Sequence, residues 1–194
     1  MVGHNIVIFR SSHALDVFPK DTSYFNFLNR LPNVDSVYFY DFDNMFDIIE
    51  KFNFITLDDN SIFHFVIQAH GSPDSIILGE DKITIDSNEW EIFIDFFKGY
   101  VNQKMSNDGT IFLHACSVAK GKQSLARLLS IYENNHVIYG ATDDITMNEL
   151  QLEFNHGIIE YNVIDEKKRP EYYIASMLNG VDIGQIYQDE YYQI

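Results

Sequence analysis

The sequence contains one cysteine, Cys116, at the end of the apolar run Thr110–Ala115, with Ser117 after it. An earlier apolar run, Ile62–Ala69, ends in the same way on His70-Gly71. A thiol and an imidazole at two strand exits are the pair that nucleophilic catalysis requires, since the ring takes the thiol proton and the thiolate attacks a carbonyl. In open α/β sheets, sites form outside the carboxyl ends of the strands. Here those ends are Arg10–His13, Asp41–Asp43, His70–Gly71, Cys116–Ser117 and Ala141–Asp144. If the third and fourth strands are neighbours, as a 2-1-3-4-5 order makes them, their axes lie about 4.8 Å apart. Two local features favour a reactive thiol. From Lys98 to Arg127 the bases are Lys98, Lys104, Lys120, Lys122 and Arg127 against the single acid Asp108, a net +4 inside a chain of −16. Cys116 also precedes a helix, whose N-terminal amides stabilise a thiolate.

Other chemistries fail on the residues present. A cysteine-dependent phosphatase needs His directly before Cys and Arg six positions after it; here Ala115 intervenes and position 122 is Lys. A nucleophile elbow needs glycines two residues either side, where this chain has His114 and Val118. No glycine-rich phosphate loop occurs, and His4, His13, His136 and His156 have no metal-like spacing, so neither cofactor nor metal is expected. His64 and His114 lie inside apolar strands and read as core histidines.

The elements that must position His70 and Cys116 follow from periodicity. Asn5–Arg10, Ser36–Phe42, Ile62–Ala69, Thr110–Ala115 and His136–Gly140 are short apolar strands. Asp21–Leu31, Asp43–Phe52, a segment from Ser87 or Asn88 to Lys104, and Gln123–Asn134 carry helical spacing. Ser75–Leu78 and Lys82–Ile85 form a hairpin, and Asn107-Asp108-Gly109 reads as a turn. Wholly apolar strands alternating with helices indicate a parallel sheet covered on both faces. The remainder, 145–194, is expected to be a hairpin over Leu150–Val163, an exposed Lys167-Lys168-Arg169-Pro170 turn and a short helix from Pro170 to Leu178. The chain is thus expected to be one domain, 1–194, with its core at about 5–142.

Charge and composition exclude several classes. Thirteen bases against 29 acids leave no basic face for nucleic acid, and an anionic bilayer repels such a chain. One cysteine excludes a disulfide framework. No apolar run approaches the roughly 20 residues of a membrane span, and no charged region followed by an apolar core opens the chain. The expected setting is the cytoplasm, or export by a route without a classical signal. The residues assign no oligomeric state.

Phe65-Val66-Ile67-Gln68-Ala69-His70-Gly71-Ser72 and Ile111-Phe112-Leu113-His114-Ala115-Cys116-Ser117 resemble the two motifs of the caspase-like cysteine peptidases. The nearest likeness is to bacterial CHAT-like and toxin-autoprocessing domains. The likeness spans roughly Asn5 to Thr142. It implies a three-layer α/β/α sandwich with a mostly parallel sheet of five to six strands and a β-hairpin inserted after the third. It implies a protein or peptide substrate, Cys116 as nucleophile, His70 as general acid/base, and the backbone amides of Gly71 and Cys116 as oxyanion hole. Many relatives carry glycine soon after the nucleophile, where this chain has Val118-Ala119 and reaches glycine only at 121. For the substrate side chain two pockets remain open. Arg10 would pair with an acidic residue; Asp143 and Asp144 would accept Lys or Arg. The alternative function is a catalytically silent caspase-like module that binds or regulates a partner.

Overall fold

The computed structural model describes residues 4–18, 28, 30–31, 34–144, 150–155, 158–163 and 174–183. Strand β1 spans His4–Ser11 and a 3-10 turn, Ser12–Ala14, follows it. Strand β2 is Val34–Phe42 and helix α1 is Met45–Phe54, whose N-terminus is capped by Asn44 Oδ1 accepting from the Asp47 N–H at 2.9 Å. Strand β3 is Ile62–Gln68, every residue buried. The short strands β4 (His70–Ser72), β5 (Ser75–Leu78) and β6 (Asp81–Thr84) form an antiparallel meander. Helix α2, Asn88–Phe96, runs on through a π turn at Phe97–Val101 to Lys104. Strand β7 is Met105–His114, helix α3 Leu125–Tyr132 and β8 Val137–Ala141. Strands β9 (Leu150–Asn155) and β10 (Ile158–Val163) pair as a hairpin, and β11 (Ile174–Leu178) and β12 (Val181–Asp182) complete the described elements.

The main sheet has seven strands in the order β12-β11-β8-β7-β3-β1-β2. Its five parallel strands keep the expected 2-1-3-4-5 order, and β11 and β12 add antiparallel to the β8 edge. Handedness then dictates the layers. The β1–β2 connection moves one way across the sheet, whereas β2–β3, β3–β7 and β7–β8 all move the other way. With right-handed crossovers the last three must lie on one face. The buried side chains sort accordingly. Val7, Phe9, Phe65, Ile67, Ile111 and Leu113 pack against α1, α2 and α3. Ile6, Ile8, Val66 and Phe112 face Leu28 and Leu31. The helices α1, α2 and α3 therefore all cover one face, and the helical residue Leu28 lies on the other.

Three sequence expectations change. Asn107-Asp108-Gly109 is not a turn but part of β7, where the ladder with β3 slips: Ile62 pairs with Met105, yet His64 pairs with Thr110. The extra residues form a bulge at the N-terminal end of the strand. The segment expected to be helical up to Leu178 is the strand β11 from Ile174. Its hairpin with β12 turns on Asn179-Gly180, with φ of +48° and +77°, the left-handed pair of a tight turn. That dipeptide signals a hairpin in the sequence and outweighs the helical spacing before it. Lastly, the sheet has seven strands where five to six are expected, because β11 and β12 join it. Of the helix expected over Asp21–Leu31, most residues lie outside the described set, as does the Lys167-Lys168-Arg169 run.

At the N-terminal ends of the strands a buried pair ties α3 to β7 and β8. The Glu133 carboxylate meets His136 Nδ1 at 2.5 Å, and His136 Nε2 donates to the Ser106 carbonyl at 3.1 Å. Glu133 and His136 are 1% and 3% exposed. A serine, a histidine and a glutamate thus meet here, but the ring faces the serine's backbone, so the cluster is structural.

Candidate functional site

The β3–β7 register brings the two sequence motifs side by side. Gln68 pairs with His114, and the Ala69 N–H donates to the His114 carbonyl at 3.2 Å. His70 and Cys116 each lie two residues beyond that pair, at the exits of adjacent parallel strands. Gly71 shows how closely the exits approach. A β-carbon at Gly71 would stand 2.7 Å from Val118 Cγ1, 2.8 Å from Ala115 Cβ and 3.0 Å from the Cys116 carbonyl oxygen. Only a residue without a side chain fits there, which is a packing reason for the His-Gly dipeptide.

His70 is held from the other side by the β1 exit. Its Nε2 is 3.0 Å from the His13 carbonyl oxygen and 3.6 Å from Asp16 Oδ1. A carbonyl can only accept, so Nε2 carries the hydrogen. In the neutral ring Nδ1 then holds the lone pair, as a base or proton carrier must. The ring is 35% exposed.

Cys116 is partly buried and packs on the same sheet face as Val66 and Phe112. The chain reverses directly after it. Ser117 adopts φ +56°, a left-handed conformation that a non-glycine residue rarely takes. The reversal is pinned to the β8 exit by the Ser117 N–H donating to the Asp143 carbonyl at 3.0 Å and the Ala119 N–H to the Ala141 carbonyl at 2.9 Å. Ser117, not a glycine, takes the sharp turn, and the fully buried Val118 fills the space against Gly71.

The same reversal sets Asp143 and Asp144 beside the thiol-bearing loop. Ser117 Oγ donates to Asp144 Oδ1 at 3.4 Å, and Lys120 Nζ lies 3.4 Å from Asp143 Oδ1. Arg10 is differently placed. It is 2% exposed; its Nε donates to Asp41 Oδ1 at 2.8 Å, Nη2 bonds the same oxygen, and Nη1 donates to the Phe18 carbonyl at 2.9 Å. Its guanidinium also lies 4.9 Å from the Phe39 ring centroid. These contacts tie β1 to β2 and to the 12–18 segment, so Arg10 is engaged by the fold. Arg10→Met is expected to lower stability by about 2–4 kcal/mol, through the orphaned Asp41 and Phe18 oxygens, and to leave any cleavage preference unchanged. Chemical denaturation and a library of peptides differing in the residue before the cut measure the two effects. A changed preference would return Arg10 to the substrate pocket.

The cationic stretch is only partly kept around Cys116: Lys120 stays on its loop, bonded through its N–H to the Ser117 carbonyl at 2.9 Å, while Lys98 and Lys104 lie elsewhere. Lys104 sits at the far end of β7, bonded to Asp59 and the Leu57 carbonyl, each at 2.8 Å. Lys98 lies 5.0 Å from the Tyr132 ring centroid. Folding disperses these two charges, which are clustered in sequence. Helix α3 begins only at Leu125, with its first two amides already used. The Leu125 N–H donates to the Pro73 carbonyl at 2.7 Å and the Ala126 N–H to the Val118 carbonyl at 2.9 Å. The His70 imidazole stands at the adjacent strand exit.

Beneath the two exits, Arg10, Gln68 and His114 form a buried polar row across β1, β3 and β7. His114 is sealed between Phe18 and Phe112, ring centroids 4.4 and 4.7 Å away. Burial pushes His114 and His64 down from 6.5 to about 3, so both rings are neutral. His64 Nδ1 meets Thr110 Oγ1 at 2.7 Å, whereas His114 Nε2 finds no hydrogen-bond partner among the described residues.

Among the described residues no group of three His, Cys, Asp or Glu is arranged to hold a metal. None of their helices is long and apolar enough to cross a membrane. Comparisons with protein-family models, curated proteins and solved structures find no match for this chain.

Proposed function

We propose that this chain is a caspase-like cysteine endopeptidase, cleaving a peptide bond in a protein substrate or in its own chain. The reading is carried by one observation: the His70-Gly71 and Cys116-Ser117 exits abut across β3 and β7, with Gly71 pressed on the Cys116 backbone. The 2-1-3-4-5 strand order and the meander inserted after β3 support it.

In this mechanism His70 takes the thiol proton and Cys116 Sγ bonds to the scissile carbonyl carbon. The displaced electron pair moves to the carbonyl oxygen, held by the Gly71 and Cys116 amides. Collapse expels the amine, which takes its proton from His70. Water then attacks the thioester carbon, giving a proton to the ring; the C–S bond breaks, the carboxylic acid leaves, and the ring returns the proton to the thiolate. Asp143 and Asp144, the acids beside the Cys116 loop, would be the residues to receive a Lys or Arg side chain.

The silent-module alternative draws support from Lys98 and Lys104, whose partners are Tyr132 and Asp59 rather than the Cys116 loop. A peptide carrying a thiol-directed electrophile separates the two readings. The peptidase labels Cys116 rapidly, and His70→Ala slows labelling at pH 7 by about 100-fold. A silent module alkylates with the ordinary thiol midpoint of about 8.5 and is indifferent to His70.

A further inference from the structure

We infer that Ser11 is a positioning residue for His70, acting through a closed clasp that the β1 exit makes with the turn of the β5–β6 hairpin; this rests on the peptidase reading above. Ser11 is fully buried, and its hydroxyl oxygen accepts two backbone N–H groups. One is that of His13, at 3.3 Å, which sets the 3-10 turn over Ser12–Ala14. The other is that of Gly79, at 3.0 Å, from the hairpin turn. The first bond orients the peptide chain whose carbonyl, at His13, receives His70 Nε2–H.

The second bond anchors the oxygen itself, because the Gly79 turn cannot shift. Gly79 has φ +66°, and a β-carbon there would lie 1.8 Å from the Asp43 carbonyl oxygen. The adjacent Glu80 N–H donates to that oxygen at 2.8 Å, and Asp81 Oδ2 accepts the Met45 N–H at 2.8 Å at the start of α1. The hairpin turn is thereby fixed to the β2 exit and to α1. The ladder β6-β5-β4 leads from that turn back to His70, which pairs with Ile77. The ring of contacts closes: His70, the hairpin, Gly79, Ser11, the His13 carbonyl, and His70 again. Both the backbone of His70 and the partner of its Nε2 are registered to one buried hydroxyl. Removing the oxygen frees the His13 carbonyl to move relative to the ring, and the ring is then free to protonate Nδ1 instead. Nδ1–H has no lone pair to take the thiol proton.

The test compares Ser11→Ala with Ser11→Thr and with Ser130→Ala. Ser130 offers a matched control: it is fully buried and its Oγ accepts the N–H of a positive-φ glycine, Gly180, at 2.9 Å, in α3 away from the strand exits. Two quantities are measured on the full chain. One is the pair of His70 ring 15N shifts at pH 8, which report the tautomer. The other is kcat and KM on a peptide substrate. Ser11→Ala is expected to move the ring from Nε2–H toward a mixture and to lower kcat by about 10- to 100-fold with KM within twofold. Ser11→Thr, which keeps the oxygen, restores both, and Ser130→Ala changes neither. The inference is overturned if the parent turns over peptide and Ser11→Ala leaves the tautomer and kcat at parental values. It is equally overturned if Ser130→Ala reproduces the Ser11→Ala changes, since the effect is then general loosening. A parent that cleaves no peptide, while its His70 tautomer still responds to Ser11→Ala, defeats the peptidase reading and leaves the clasp standing.

Discussion

Cys116→Ala is expected to lower peptide cleavage by roughly 10,000-fold or more, and His70→Ala by about 1,000-fold. In the proposed mechanism the thiol sulfur bonds to the substrate, so nothing would replace it; only binding and oxyanion contacts would then accelerate the reaction. The imidazole's proposed role is to move protons, for which buffer or water would partly substitute. Because the two groups act as a unit, the double variant is expected to be no slower than Cys116→Ala alone. His70 opens the short strand β4 and Cys116 lies in the loop after β7, both outside the main sheet, Cys116 partly buried and His70 35% exposed, so the variants are expected to fold. Turnover of a fluorogenic peptide, or appearance of self-cleaved fragments, is the measurement. A Cys116→Ala protein that cleaves as well as the parent ends the assignment, and additive losses in the double variant would mean that the residues act separately.

The second large effect is on stability in acid. His64 and His114 lie inside β3 and β7, and burial holds both rings neutral, pushed from 6.5 to about 3. When the chain unfolds, each ring regains its ordinary affinity for a proton. Between pH 6.5 and about 3 the unfolded chain therefore binds more protons than the folded chain, and stability rises with pH across that window. It is complete above pH 6.5 and drains as the pH falls. Each ring contributes a slope of about 1.4 kcal/mol per pH unit, so the two together remove about 2–3 kcal/mol per unit. A domain near the lower end of the usual range, with a stability of about 5–7 kcal/mol, is expected to unfold near pH 4–5. Urea unfolding at pH 7.5, 6.5, 5.5 and 5.0 reads the slope directly, above the range in which most carboxylates titrate. His64→Gln is expected to cut the slope by about half, whatever it does to stability at pH 7.5. If parent and variant have the same slope, burial of His64 does not couple to protonation. Acid lability of this kind would confine the folded chain to near-neutral conditions.

The buried polar row and the clasp explain why the site could only partly be read from the chain. The parallel strands were legible because each is a run of apolar residues flanked by breakers, and Ile62–Gln68 and Thr110–His114 bury every residue. His70 and Cys116 were legible because they end two such runs. His64 and His114 were legible as core histidines for the same reason. Ser11 was not, since a lone serine after a strand carries no pattern; its importance lies in contacts with Gly79, far along the chain. Arg10 and Asp143 looked equivalent as charges at strand ends. Their difference came from Asp41 and the Phe18 carbonyl, which the chain brings to Arg10 from separate elements. The cationic stretch around Cys116 is only partly kept by the fold, because neighbours in sequence need not share a face: Lys104 ends up at the opposite end of β7, while Lys120 stays on the Cys116 loop.

Hydrophobic periodicity and turn residues act over a few neighbours, so the sequence by itself determined the strand exits, the parallel core and the two residue types able to do thiol chemistry. The strand pairing decided that those exits abut, because register depends on which distant runs pack together. It also decided which nitrogen of His70 carries the hydrogen, since that is set by the His13 carbonyl across space. The same holds for the electrostatics: a charge acts through distance and burial, and both are defined only once the chain has folded.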